Sequence, residues 1–181
     1  TLKKLCSLAR ELYISVSIGS LAVKIDDPDG RFANRSFLIE PSGQIVGQYD
    51  KIHMFDVQIS ETETYRESAG YRPGDRAVVA NTALGKVGMA ICYDLRFPLL
   101  ANALAQAGAQ ILLYPSAFSP VTGAAHWHSL LRARAIETGC YVIAAAQTGT
   151  HPTIGSKVRS TYGHSLVVDP WGEVILDAGV D

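Results

Sequence analysis

The sequence predicts a single layered α/β domain, and three observations carry that prediction. Its length, 181 residues, is one domain's worth. Between residues 86 and 146, apolar strand patterns alternate with helical ones in the order strand, helix, strand, helix, strand. That order stacks helices against a sheet. Two hairpin patterns also repeat one arrangement. Ser36 to Val46 reads SFLIEPSGQIV, and Ser165 to Ile175 reads SLVVDPWGEVI. Each has an apolar strand, an acid, Pro-x-Gly, a polar residue and an apolar pair. Turn chemistry alone can produce this echo, and so can a fold with two related halves.

The elements follow in order. Leu2, Leu5, Leu8 and Leu12 recur at helical spacing through about residue 13. Residues 14–18 are apolar and largely β-branched, a strand ending at Gly19. Residues 26–30, DDPDG, are a turn-rich loop. Strands at 36–40 and 44–49 form a hairpin through Pro41-Ser42-Gly43. Residues 51–76 are polar and weakly periodic; a loop that long is usually functional or disordered. Strands at 77–80 and 86–92 flank a turn at 81–85. A helix at 98–107 starts on Pro98 and stops at Gly108. A buried strand at 110–114, a helix at 124–138 stopped by Gly139, and a buried strand at 141–146 come next. A last hairpin pairs 163–169 with 173–177.

Composition excludes several classes. Hydrophobic residues make up 48% and charged residues 18%, which suits a packed core and not a disordered chain. Net charge is −1 with no basic run, so nucleic acid is not expected as a partner. No apolar stretch approaches the about 20 residues that span a bilayer, so no membrane is expected. No signal peptide opens the chain. Cys6, Cys92 and Cys140 are few, odd in number and far apart. That fits a reducing, cytoplasmic setting, and the spacings make no zinc motif. The chain starts on Thr1 inside a helical pattern and closes at Asp181 just after a strand pattern. Both ends read as cut.

The sharpest chemical signal is residues 88–98, GMAICYDLRFP, where an apolar strand ends on Cys92 and a helix follows. A cysteine at such a turn is favoured as thiolate by backbone N–H groups and the helix dipole. The Tyr93 N–H then lies near an oxyanion formed on an attacked carbonyl. The plainer alternative is a buried cysteine acting as a small hydrophobe. A thiol nucleophile needs a partner. His126 and His128 are two apart on a helix and point roughly 200° apart, so they do not share a metal or both face Cys92. His53, His151 and His164 show no diagnostic spacing. Lys51 follows a strand in YDKIHMFD, beside apolar neighbours that can desolvate it. A fixed ammonium there stabilises an oxyanion strongly; alternatively it is a solvated loop lysine.

These segments occur in a fixed order: YDKIHMFD (49–56), RES (66–68) with PGD (73–75), GMAICYDLRFP (88–98), YPSAF (114–118), TGAAHW (122–127), RARAIE (132–137) and YGHSLVVDPWG (162–172). In that order they resemble the nitrilase superfamily of carbon–nitrogen hydrolases, from about residue 1 to the end. Within it the chain looks closest to the Nit branch, the deaminated-glutathione amidases and ω-amidases. AHW, RARAIE and AAAQTG (144–149) resemble the former more.

The resemblance implies an incomplete α-β-β-α sandwich and a Glu-Lys-Cys triad. Cys92 matches the nucleophile and Lys51 the lysine that stabilises the tetrahedral intermediate. Glu67 matches a second glutamate near that lysine, where it would orient Lys51; otherwise it is one more loop carboxylate. The first glutamate, the general base, lies in the family ahead of the strand at 14–18, so it and the closing strands are expected outside these residues. The 181 residues alone are then expected not to turn over substrate. The implied reaction attacks a small carboxylate-bearing amide through a cysteine thioester and releases ammonia, best matched by deaminated glutathione amidase. ω-Amidase, N-carbamoyl hydrolase and nitrilase are alternatives, as are a Cys–His acyl-transfer enzyme and a catalytically silent binding subunit. No cofactor is implied, and self-association as a homodimer or larger is expected by analogy.

For the substrate, Arg96 could grip a carboxylate in a two-pronged bond, or form a structural salt bridge. Ser116, Ala117, Phe118 and Thr122 follow the strand expected beside that of Cys92 and are candidate pocket wall, or core. Arg134 and Glu137, three apart on a helix, read as a structural pair. Trp127 reads as core or dimer contact.

Overall fold

The computed structural model describes residues 1–58, 61, 64–152 and 158–180. The elements run α1 (Leu2–Leu12), β1 (Val16–Lys24), β2 (Phe32–Ile39), β3 (Ile45–Asp50), β4 (Asp56–Gln58) and β5 (Thr64–Arg66). A 3₁₀ turn (Glu67–Ala69), β6 (Tyr71–Arg72), β7 (Val78–Thr82) and β8 (Gly85–Met89) follow. Then come a second 3₁₀ turn (Cys92–Arg96), α2 (Pro98–Gln106), β9 (Ile111–Leu113), α3 (Pro120–Thr138) and β10 (Tyr141–Ala144). The last four are β11 (Thr148–His151), β12 (Arg159–Tyr162), β13 (Leu166–Val168) and β14 (Val174–Asp177).

Two sheets face each other. The first orders β1-β2-β3, with β6 joining β2. The second orders β14-β13-β10-β9-β8-β7, with β8, β9 and β10 parallel. Leu38 and Tyr49 of the first sheet share one core with Ala80, Met89, Leu112 and Val142 of the second. Helices α2 and α3 cover the outer face of the second sheet, contributing Leu100, Leu104, Trp127 and Leu131 to that core. Helix α1 meets the β2–β3 turn, where Arg10 Nε donates to the Ser42 carbonyl at 3.0 Å. Two facing sheets with α2 and α3 outside the second match the predicted sandwich, and α1 meets the first sheet at the β2–β3 turn. No helix among the described residues is long and apolar enough to cross a membrane.

The repeated hairpins adopt one turn. The Glu40 N–H donates to Gln44 O at 2.9 Å and the Gly43 N–H to Glu40 O at 2.8 Å. At the matching positions the Asp169 N–H donates to Glu173 O at 3.0 Å and the Gly172 N–H to Asp169 O at 2.9 Å. Gly43 and Gly172 both take positive φ, 79° and 89°, which explains the shared glycine. One hairpin lies in each sheet.

Several boundaries differ from the sequence reading. β1 does not stop at Gly19. A register shift between Ile18 and Leu21 carries it on to Lys24, as a bulge does. β8 ends at Met89, although its bonding to the neighbouring chain continues through Ala90 N–H to Leu113 O and Cys92 N–H to Pro115 O. α3 starts earlier, at Pro120, because Ser119 caps it, accepting from the Thr122 N–H at 3.3 Å. The leucines of α1 cover little core: only Ala9 is buried, and Leu8 and Leu12 are exposed. Within 51–76 the chain is not one loop but builds the β4–β5 hairpin and β6. Residues 59, 60, 62 and 63 of that segment, and Asp181, lie outside the described residues. The β11–β12 hairpin has no counterpart in the sequence reading.

The sheet–helix packing is tight enough to be tested. A Cβ on Gly88 of β8 would sit 2.8 Å from Leu112 Cδ2 and 3.2 Å from both the Leu104 and Ala109 Cβ atoms. Gly88→Ala is expected to cost about 1–3 kcal/mol by overpacking. Urea unfolding checks this; a wild-type midpoint would contradict it.

Candidate active site

The site forms where the parallel strands end, the usual position in a sheet of this kind. Beyond β8 lies Cys92, beyond β9 lie Ser116 to Phe118, and beyond β10 lie Ala145 to Gln147. The extensions stay bonded to one another: Ser116 N–H donates to Ala145 O at 2.8 Å and Gln147 N–H to Ser116 O at 2.9 Å. They wall a cavity of about 810 Å³. Lys51, Glu67, Cys92, Tyr93, Arg96, Ser116, Ala117, Phe118 and Thr122 all line it.

Cys92 heads a 3₁₀ turn, and α2 starts at Pro98, where the sequence places it. Its φ is 50°, a left-handed conformation uncommon for a non-glycine residue. Such strain persists only where surroundings enforce it. Here the Cys92 N–H donates to Pro115 O at 3.0 Å. Asp94, fully buried, does the rest. Its Oδ2 accepts from the Ile91 N–H at 2.9 Å and from the Tyr49 hydroxyl at 2.7 Å. Its Oδ1 accepts from the His53 N–H at 3.0 Å and lies 2.7 Å from His53 Nδ1. Phe97 stacks on the His53 ring at 3.6 Å. One carboxylate thus joins the residue before Cys92 to both flanks of Lys51. Burial and the Asp94 charge push the Tyr49 phenol far up, so it stays a donor. The sequence reading missed Asp94, Tyr49 and His53 as members of the site. All three lie inside the quoted motifs, but nothing in their spacing signals a common partner.

Lys51 is buried, with its ammonium on Glu67 Oε2. Glu67 has no spare oxygen: Oε2 also accepts from the Phe55 N–H at 2.7 Å, and Oε1 accepts from Asn34 Nδ2 at 2.9 Å. Asn34 also accepts the Lys51 N–H at 2.9 Å. The Cys92 thiol is held above its usual range. Burial raises it and prevails, while the Lys51 charge, the Ala117 N–H and the Ser116 side chain lower it and the Glu67 charge raises it. The thiol is therefore neutral at pH 7, and attack requires its deprotonation.

Arg96 has no carboxylate partner among the described residues. Its guanidinium lies 5.6 Å from the Phe118 ring centroid and 6.0 Å from that of Tyr93, and 3.3 Å from His126 Nδ1. Arg66 and Arg159 also line the cavity, and Glu67 is its one carboxylate among the described lining residues. The cavity is therefore electropositive. None of the five histidines lines it. Arg134 is a structural residue, 2.8 Å from Glu137 and donating to Leu95 O at 2.9 Å. Trp127 is core, fully buried, with its indole N–H on His164 O at 2.7 Å.

The chain as a whole resembles known proteins. The carbon-nitrogen hydrolase family model matches residues 1–181. The chain is 50% identical over 171 residues to a deaminated glutathione amidase of Mus musculus, covering 93% of this chain and 52% of that protein. It is 45% identical over 169 residues to one of Yersinia enterocolitica, covering 93% of this chain and 58% of that protein. Among solved structures, the Caenorhabditis elegans NitFhit protein superposes with a TM-score of 0.89 at 42% identity, covering 99% of this chain and 43% of that one. The chain spans a little over half the length of the two amidases.

Two outcomes test the wiring. Asp94→Asn turns an amide N–H₂ toward groups that donate, leaving two buried donors unsatisfied at about 1–3 kcal/mol each; urea unfolding should show at least the lower sum. Separately, iodoacetamide alkylation of Cys92 should rise with pH through a midpoint above that of an exposed cysteine. Lys51→Met removes a charge that lowers the thiol pKa, so the midpoint should move further up; a downward move would contradict the assignment.

Proposed function

Because this chain belongs to the carbon–nitrogen hydrolase family, we propose that its parent polypeptide cleaves the amide bond of a small anionic substrate through a cysteine thioester, with deaminated glutathione as the best candidate. The observation that carries this reading is a strained Cys92 sharing one cavity with a buried Lys51–Glu67 pair.

In this reading the neutral Cys92 thiol gives its proton to a base and attacks the amide carbon. Glu67 serves as the orienting carboxylate, since its oxygens accept from Lys51, the Phe55 N–H and Asn34. The proton acceptor is the triad's first glutamate, which the family resemblance places ahead of β1. Lys51, oriented by Glu67, and the Tyr93 N–H stabilise the oxyanion in a water-poor site. The protonated leaving group departs, as ammonia from a primary amide or as the amine from a substituted one. Water, activated by the same base, adds to the thioester and releases the carboxylic acid and the free thiol. Arg96, lying on aromatic faces without a carboxylate partner among the described residues, receives a substrate carboxylate. Ser116, Ala117, Phe118 and Thr122 shape the wall. No histidine is among the described lining residues, which favours the Lys51 reading over a Cys–His pair. The same reading carries a reducing, cytoplasmic setting and self-association. The free cysteines support the first; the second rests on analogy with the family.

The test is turnover of deaminated glutathione and of α-ketoglutaramate by the parent polypeptide, following acid and amine products. Deaminated glutathione should be hydrolysed, Cys92→Ala should abolish turnover, and Lys51→Met should lower it by about 10²–10³-fold. Preference for α-ketoglutaramate would reassign the substrate, and an active Cys92→Ala would overturn the mechanism.

A further inference from the structure

Outside the cavity, three side chains from three elements converge on one point. His128 Nε2 of α3 lies 3.0 Å from Asp177 Oδ2 of β14. His164 Nδ1, in the turn before β13, lies 2.9 and 3.0 Å from the two oxygens of the same carboxylate. All the ligand-bearing atoms fall within 4.8 Å of one another. The spacings, 49 residues from His128 to Asp177 and 13 from His164, fit no sequence motif.

The cluster is built as well as assembled. His164 takes a left-handed φ of 57°, uncommon for its type. Its backbone is held on both sides: its N–H donates to Gly179 O at 2.6 Å and its carbonyl accepts the Trp127 indole N–H. Tyr162 stacks on its ring at 4.6 Å, and the His128 ring meets it edge-on at 5.2 Å. The Gly179 N–H fixes Asp177 Oδ1 at 2.9 Å. The backbone donor on the carboxylate is support of the kind that orients a metal ligand, and ring packing holds the imidazoles. The three side chains are 24–36% exposed, which leaves the remaining coordination positions to water.

We propose that His128, His164 and Asp177 bind a divalent first-row transition metal, with zinc as the natural probe. Two imidazoles and a carboxylate are a ligand set zinc accepts in tetrahedral geometry. Bonds of about 2.0–2.1 Å place tetrahedral donors about 3.3 Å apart. The imidazole–carboxylate distances here need open by only a few tenths of an ångström. Each imidazole ligates through the nitrogen facing Asp177 and keeps its proton on the other one. The ion replaces the hydrogen bonds and joins α3, the turn at His164 and β14. It takes no part in the proposed hydrolysis, so no metal is required by that chemistry.

The parent polypeptide, stripped by chelator, would be titrated with zinc against a chromophoric competitor. One equivalent should bind to the wild type and to Cys92→Ser. Affinity should fall by at least about tenfold in His128→Gln, His164→Gln and Asp177→Asn. Zinc should raise the thermal midpoint of the wild type but not of these variants, and matching circular dichroism without metal would show that they fold. Absence of a bound equivalent, binding unchanged in the histidine variants, or binding lost in Cys92→Ser would each overturn the proposal. None of these readouts depends on amidase activity.

Discussion

The buried carboxylate of Asp94 is the constraint on which the site depends. It accepts from the neighbouring Ile91 and from Tyr49 and His53, which lie 45 and 41 residues before it. A buried carboxylate without such donors would cost several kcal/mol. The two segments are therefore held together, and with them Cys92 and Lys51. The left-handed backbone at Cys92 is one consequence, since the turn closes around Asp94 and not around its own dihedral preference.

A second layer of bonding fixes the charges. Lys51 is buried because Glu67 compensates its ammonium, and Glu67 is fixed because Asn34 and Phe55 occupy it. Glu67 is thereby fixed in orientation against Lys51. Among the described residues the cavity lining then carries Arg66, Arg96 and Arg159 against the single carboxylate of Glu67.

The sandwich supplies the frame for both layers. One sheet delivers Lys51 from the end of β3, and the other delivers Cys92 from beyond β8. Their shared core, with Tyr49 packed among Met89 and Leu112, brings the two ends to one cavity. Asp94 therefore bridges sheets, and the approach of Lys51 to Cys92 depends on inter-sheet packing as much as on local sequence.

Much of this was legible in the residues. Strand and helix periodicity located the parallel core, the glycines after α2 and α3 marked their ends, and the two Pro-x-Gly hairpins adopt the same turn. The order of the motifs also pointed to Cys92, Lys51 and Glu67, because each carries a distinctive side chain in a distinctive local setting. What the sequence left open was partnership. Arg96 could have been a salt bridge, and only packing shows it on two aromatic faces without a carboxylate among the described residues. Asp94 carries no signal of its own in the sequence, since its partners at positions 49 and 53 become neighbours only when the sheets stack. The β11–β12 hairpin escaped because its short polar strands lack an alternating apolar face, so tertiary pairing decided their structure. The convergence of His128, His164 and Asp177 has the same origin. Local periodicity specifies backbone shape within a few residues, whereas hydrogen bonds between distant side chains exist only after burial has chosen which elements touch.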